Sequence, residues 1–544
     1  MSIINLAIHY ALIILSIIGY GKIFSYIFLK NIKLDISQLG FFGIFFLIII
    51  SYITNFFFEH NYIHNLIILS FGLIFFLLRL WLIKNYNVYI ISIGVFFILF
   101  IGILVYKNHD DFFYYHFGYT LSLITDKKII GIGHLEHGFR TPSSIFYLNS
   151  LFYLPFVKYY LFNLGAVLFM GFSSIFFIEK IKKNLKKKQI NFILILSLVS
   201  LIFILTAFHR IAEHGTDRSA LILIFVLIVV LIESFQKKDL KKIDQFENNF
   251  AQISILLLLI ISLKSFYIIY SIFFIYWIFK AQIYYTNFNI FKVILKNKLS
   301  YLFITSFGIF ILTVFLNTGC LIYPASFTCM DFFEWAIPIE QVENMKNWYS
   351  LWSKAGANPN FRVSEPDIYL SNFNWISNWI TSYFFTKVSD FILVIFVICL
   401  ITFFSIKNSP IKDSKKNDYN IIYIIIGILT IEWFINHPAL RYGGYTILAL
   451  LFFMPLADIL SRYTKYNERV KKNINILIII SFVIFIYKNI SRINYEIDKY
   501  DYNILENPYY NLADNAFIYQ NKISKLKNEK KYNKKSFLVI TKFD

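Results

Sequence analysis

Long unbroken windows of apolar residues alternate with short polar stretches along most of the chain. The windows fall near 3–29, 39–58, 63–83, 88–106, 159–178, 191–208, 219–233, 251–263, 266–279, 300–316, 388–406, 420–435, 445–458 and 474–488. Many approach the roughly 20 residues that a helix needs to cross the hydrocarbon of a bilayer. Barrel strands would be shorter and would alternate in polarity, so the spans are expected to be helical. The pattern predicts an all-α polytopic membrane protein of about 14 transmembrane helices. The first window lacks a basic start and a small-residue cleavage site and carries Lys22, so it reads as a retained span rather than a signal peptide.

The polar stretches set the expected orientation. The basic ones are "EKIKKNLKKK" (179–188), "QKKDLKK" (236–242), Lys292/Lys296/Lys298, "KNSPIKDSKK" (407–416) and "RYTKYNERVKK" (462–472). Together with Lys30, Lys33 and Lys84 they all fall on the cytoplasmic side if the N-terminus lies outside. One region decides the parity. A single helix over 251–280 would put Lys264 in mid-bilayer and export every later basic loop, whereas two short helices meeting at "SLKSF" (262–266) avoid both costs. Composition agrees with a membrane class, at 58% hydrophobic and 15% charged residues. The net charge of +20 would suggest nucleic acid in a soluble protein; clustered between spans, it reads as topology signals, and no nucleic-acid partner is expected. The expected division is additional N-terminal helices over 1–87, a transmembrane core over 88–488 with large outer loops at 107–158 and 317–387, and an exported polar tail over 489–544.

On this topology the outer side carries the varied chemistry. Nine of the ten histidines lie there (His60, His64, His109, His116, His134, His137, His209, His214 and His437), and His9 sits in the outward half of the first span. The first large outer loop opens with "NHDDFFYYHFGY" (108–119). Asp110 and Asp111 could cap an amphipathic helix bearing Phe112, Tyr115 and Tyr119. Yet two acids beside His109 and His116 at the membrane surface also suit a carboxylate of raised pKa acting as general base toward a hydroxyl. In "GIGHLEHGFRTPSS" (131–144), Arg140 offers a planar fork for phosphate or carboxylate. The loop also leaves room for a divalent cation, held by His134, His137 and an Asp110 or Asp111 carboxylate, although the spacing matches no zinc signature. The following "SSIFYLNSLFYLP" (143–155) is too short to span and is expected to lie in the interface or to dip in and out.

Farther along, "FHRIAEHGTDRSA" (208–220) reads either as an ion-paired loop or as a source of His209 and Arg210 for a site. Lys264 would snorkel or hold a phosphate at headgroup depth. The segment 317–387 holds five of the eight tryptophans and is expected to lie across the membrane surface as a cap. In "NTGCLIYPASFTC" (317–329), Cys320 and Cys329 are candidates for a disulfide, with two unpaired thiols as the alternative. The short turn "NHPALRYGG" (436–444) carries His437 and Arg441, and an arginine outside runs against the positive-inside trend.

An acidic pair in the first large outer loop, lone cations at outer span ends and a Trp-rich outer cap together resemble the GT-C superfamily of integral-membrane glycosyltransferases. Four spans precede the acidic loop here, against one in that superfamily's usual pattern. The string "HGFRTPSSIFYLNSLFYLP" (137–155) also looks like an uncharacterised family of polytopic bacterial envelope proteins. The GT-C resemblance implies transfer of a sugar from a polyprenyl-phosphate-linked donor to a glycan, lipid or protein acceptor. The reaction would take place at the periplasmic face of the bacterial cytoplasmic membrane. Asp110 or Asp111 would be the catalytic base, and His109, His116, His137, Arg140, His209, Arg210, Lys264, His437 and Arg441 would face substrate. A polysaccharide polymerase or ligase using lipid-pyrophosphate-linked glycans is the next reading. A transporter or flippase ranks third, because it calls for ionisable residues at mid-membrane.

Overall fold

The computed structural model of the 544-residue chain describes residues 2–29, 34–80, 86–236, 243–285, 289–358, 361–409, 419–533 and 536–544. Lys30, Lys33 and Lys84, and most of the basic stretches at 236–242 and 407–416, lie outside these described residues.

The apolar windows form helices. They run α1 (Ile3–Phe28), α2 (Ile36–Asn55), α3 (Tyr62–Leu80), α4 (Tyr86–Phe100), α5 (Phe117–Thr125), α6 (Ser144–Ser150), α7 (Leu164–Lys186), α8 (Phe192–Ala207), α9 (Asp217–Gln236), α10 (Ile243–Leu263) and α11 (Ser271–Tyr284). Then follow α12 (Ile290–Lys296), α13 (Lys298–Thr318), α14 (Ile339–Lys354), α15 (Pro366–Leu370), α16 (Ile376–Trp379), α17 (Ser389–Ile406), α18 (Asn420–Asn436), α19 (Gly444–Tyr463), α20 (Glu468–Tyr500) and α21 (Ile518–Glu529). Among the described residues ten helices are long and apolar enough to cross a membrane, and four shorter apolar ones lie at Tyr62–Leu78, Tyr89–Ile103, Phe192–Ala207 and Asn420–Asn436. This is a polytopic helical membrane protein.

Local chemistry fixes several helix ends. The side chains of Asn191, Asn297 and Asn467 accept from backbone N–H groups in the first turns of α8, α13 and α20. Asp35 and Gln38 form a capping box at the start of α2. Helices α7, α8 and α9 are buried on almost every side and make the centre of the bundle. Around them α11, α13, α17, α18 and α20 present apolar residues outward, among them Ile304, Leu393, Phe404, Ile424 and Ile479. So large an exposed apolar surface suits hydrocarbon rather than water.

The chain crosses back and forth between two ends. At one end the connections are short: Asn408 bonds the carbonyl of Lys465, and Asn473 that of Ser405. At the other end gather the loop before α7, the α8–α9 and α18–α19 turns, the helices α14–α16 and the tail. The helix pair α10–α11 breaks at Lys264, whose backbone is extended, and Phe246 and Phe250 stack on Trp277 of the returning helix α11.

Helix α6 is buried rather than interfacial: Tyr147 stacks on Tyr52 of α2, with ring centroids at 3.8 Å, and its carbonyl accepts from Ser51. The tail packs into the loop-rich end. Residue Ile540 donates to the Ile130 carbonyl at 2.9 Å, Lys527 pairs with Asp126, and Tyr519 reaches Glu136 at 2.7 Å. Gly131 permits this, because its φ is +72° and a Cβ would sit 2.0 Å from the Ile540 carbonyl oxygen.

Candidate functional site: a buried ion cluster at the loop-rich end

Four segments converge on one cluster. Asp111 precedes the π-helical turn Phe112–His116, Asp217 opens α9, Lys264 marks the break between α10 and α11, and Arg441 lies in the turn between α18 and α19. Arg441 is the bridge: its Nε donates to Asp217 Oδ2 at 2.9 Å and its Nη2 to Asp111 Oδ2 at 3.2 Å. Lys264 Nζ takes the other oxygen of Asp217. Two of the five guanidinium N–H donors are used in these bonds. Tyr442 and Trp352 stand beside the cations, with Arg441 at 5.6 Å from the Trp352 ring and Lys264 at 5.0 Å from the Tyr442 ring.

The turn that carries Arg441 is held by aromatic donors. Trp433 bonds the Ala439 carbonyl at 2.8 Å, Trp379 the Pro438 carbonyl at 2.9 Å, and Tyr267 the Arg441 carbonyl at 3.0 Å; Tyr383 accepts from the Leu440 N–H at 2.8 Å. Gly443, with φ at +112°, closes the turn where a Cβ would meet the Tyr270 hydroxyl at 3.0 Å. Trp375 and Trp379, read from sequence as membrane-surface anchors, are instead buried against Phe434 of α18.

The acidic pair divides. Asp111 points inward, with a side chain 28% exposed, while Asp110 is 90% exposed and pairs with Lys107 at 3.4 Å. Burial pushes the Asp111 carboxyl up, but the Arg441 guanidinium outweighs it and holds the group below the ordinary carboxylate range. The raised pKa expected from sequence is therefore reversed in this state. His109 Nδ1 accepts the Asp111 backbone N–H at 3.0 Å, which assigns its ring proton to Nε2. His116 is buried among Tyr115 and Phe146, and burial lowers it to about 3, so it is a neutral imidazole at physiological pH. Lys264 is also lowered, by burial, against the pull of Asp217.

The other predicted residues lie at varying removes. His437 packs on Phe266 and Tyr442, beside the cluster, and burial lowers it to about 4. Arg140 sits further out, donating to the Gly133 carbonyl at 3.0 Å, the Tyr323 hydroxyl at 3.3 Å and Gln341 at 3.2 Å. Tyr349 lies within electrostatic reach of both Arg140 and Arg441. His137 pairs with Glu136 and faces Tyr114 and Trp348. His209 and Arg210 are not brought to the cluster. His209 bonds the Thr206 carbonyl at 3.1 Å, and Arg210 pairs at 3.5 Å with Glu213, which Arg492 of α20 also holds. His134 bonds the Trp335 carbonyl at 3.0 Å, and among the described residues no three His, Cys, Asp or Glu side chains group to hold a metal ion. Cys320 and Cys329 are joined by a disulfide.

The sequence offers Asp217 only as part of an ion-paired loop. Its signal was a carboxylate at the start of a long apolar span, with two lone outer cations available to answer it.

The fold and the cluster define the class: a multi-pass helical membrane protein with a partly buried, charge-balanced constellation at its loop-rich end. The chain belongs to the family described as a domain of unknown function, DUF8201, whose model matches residues 1–448. That stretch carries every member of the cluster. No curated protein and no solved structure matches the chain.

Proposed function

We propose that the protein transfers a sugar from a polyprenyl-phosphate-linked donor to an envelope acceptor, as a GT-C-like glycosyltransferase. On this reading the four shorter apolar helices also span, giving fourteen crossings. The basic connectors then face the cytoplasm and the ion cluster faces the periplasm of a bacterial inner membrane. The observation that carries the proposal is the convergence of Asp111, Asp217, Lys264 and Arg441 from four distant segments at one end of an otherwise apolar bundle.

The roles follow from the chemistry. The donor phosphate takes Arg441 and Lys264, using guanidinium donors not engaged with Asp111 and Asp217. The phosphate's negative charge on those free donors offsets the pull of Arg441 on Asp111, whose basicity rises toward what a general base requires. The acceptor hydroxyl then attacks the anomeric carbon. Its O–H proton goes to Asp111, the new C–O bond forms, and the bond from that carbon to the phosphate oxygen breaks with its electron pair on the phosphate. The departing polyprenyl phosphate gains one negative charge, and Arg441 and Lys264 stabilise it. Asp217 stays ionised between the cations and fixes their positions.

A polymerase or ligase acting on lipid-pyrophosphate-linked glycans is the second reading. It is favoured by Arg140, a further cation whose field meets that of Arg441 at Tyr349 and which would suit a second phosphate. Proteoliposomes supplied with radiolabelled polyprenyl-phosphate and polyprenyl-pyrophosphate sugars and an envelope extract separate the two. The first reading requires transfer of label with release of polyprenyl monophosphate. Release of the diphosphate supports the second, and no consumption of any donor rejects both.

A further inference from the structure

The cluster does not end at Arg441. Helix α14 crosses above it and presents Trp352 and, one turn earlier, Trp348 on the same face. The two indoles lie nearly parallel, 19° apart with centroids at 6.3 Å, so they form a stepped strip. Trp352 is the inner step, buried against Tyr442 and Arg441. Trp348 is the outer step, 41% exposed, and it faces His137, which in turn faces Tyr114, 48% exposed. Polar groups edge the strip: Arg140 bonded to Gln341 of the same helix, the Tyr323 hydroxyl, and Glu136 held by Tyr519 of the tail.

We infer that this strip binds a glycan, with a sugar ring stacked on Trp348 and its hydroxyls met by Arg140, Gln341 and Glu136. The inference rests on the transferase reading only for its role there, as the acceptor subsite; glycan binding itself stands on the strip. An aromatic face is electron-rich and attracts the weakly positive C–H edges on one side of a pyranose ring. Planar guanidinium, amide and carboxylate groups can engage neighbouring hydroxyls in pairs. Exposed tryptophan at a membrane protein's end can also mark the headgroup level. Phe327 in the disulfide loop and Phe332 just beyond it are the contrasting case, apolar and 90% and 74% exposed. Trp348 differs, because it faces His137, which pairs with Glu136, and its strip leads inward through Trp352 to Arg441 rather than outward to the apolar flank.

The test uses full-length protein in nanodiscs, probed on a printed array of bacterial surface glycans and, for any hit, by saturation-transfer NMR. Wild type is expected to bind a subset of the glycans. Trp348→Ala should weaken that binding at least about tenfold, the scale of a lost stacking contact. Trp348→Tyr should retain most of it, and Asp110→Asn, at the exposed acid paired with Lys107, should bind like wild type. Brominated lipids should leave the fluorescence assigned to Trp348, by comparison with Trp348→Phe, unquenched. Quenching there would make the strip a membrane contact and overturn the inference. An array with no hit for wild type, or Trp348→Ala binding unchanged, overturns it as well. The two readings fail separately: glycan binding lost in Trp348→Ala without donor consumption sinks the transferase and leaves the subsite, whereas transfer unaffected by Trp348→Ala does the reverse.

Discussion

Replacing Asp217 with asparagine tests how the cluster is held. The Asp217 side chain is 8% exposed, and each of its oxygens serves one cation, Oδ1 taking Lys264 and Oδ2 taking Arg441 at 2.9 Å. Asparagine keeps the shape but offers one carbonyl oxygen and an amide donor, so one cation would face a donor, Lys264 would lose its carboxylate and Arg441 would keep only that of Asp111. Breaking a buried ion pair from one side costs about 3–5 kcal/mol. Here Lys264 and Arg441 keep 22% and 33% side-chain exposure, so water takes up part of the loss. The expected destabilisation is about 2–3 kcal/mol, at or just below the low end of that range. Adding Lys264→Met removes one stranded charge, and the double variant should be more stable than the sum of the single effects by about 1–2 kcal/mol. Unfolding by sodium dodecyl sulfate in mixed micelles, followed by tryptophan fluorescence, measures all three variants. A single variant within about 0.5 kcal/mol of wild type, with strictly additive effects, would refute an ion-pair-held cluster.

Further outcomes follow from the same geometry. Arg441→Ala should move the acid limb of the pH–rate profile upward, because the cation that holds the Asp111 carboxyl low is gone; a limb that stays put denies their coupling. Lys128 is buried on Asn317 at 2.6 Å and lowered to about 7 by burial. With the folded value below the unfolded one of about 10.4, the unfolded chain binds more protons between them. Stability should therefore rise with pH from about 7 to about 10.4, and Lys128→Met should flatten that rise; an unchanged slope contradicts the assignment. Cysteines placed at Asp110 and at Lys522 of the tail should both be labelled by a membrane-impermeant maleimide on intact cells. Labelling of only one would break the shared face.

Much of the fold was legible because membrane helices announce themselves by unbroken apolar length, and lone charges at their ends stand out against that background. Lys264 and Arg441 were found this way, and so was the break at "SLKSF". Asp111 was found only as half of a pair, since adjacent residues give no sign of which one turns inward. Asp217 escaped because its meaning lies in partners 47 and 224 residues away. Trp375 and Trp379 misled because indole suits a headgroup layer and a buried carbonyl equally well; the choice depends on a turn some 60 residues farther on. Helix α6 misled for the opposite reason. Its apolar face reads alike whether lipid or protein covers it, and only the Tyr52–Tyr147 stack decides.

The most direct measurement of the central claim compares Asp111→Asn with Asp110→Asn in the donor-consumption assay, at matched folding and expression. The account predicts loss of about 10²–10⁴-fold in turnover for Asp111→Asn, the range of a general base. Asp110→Asn, paired only with Lys107 at the surface, should stay within about twofold of wild type. Equal losses in both variants, or an Asp111→Asn protein that turns over normally, would contradict it.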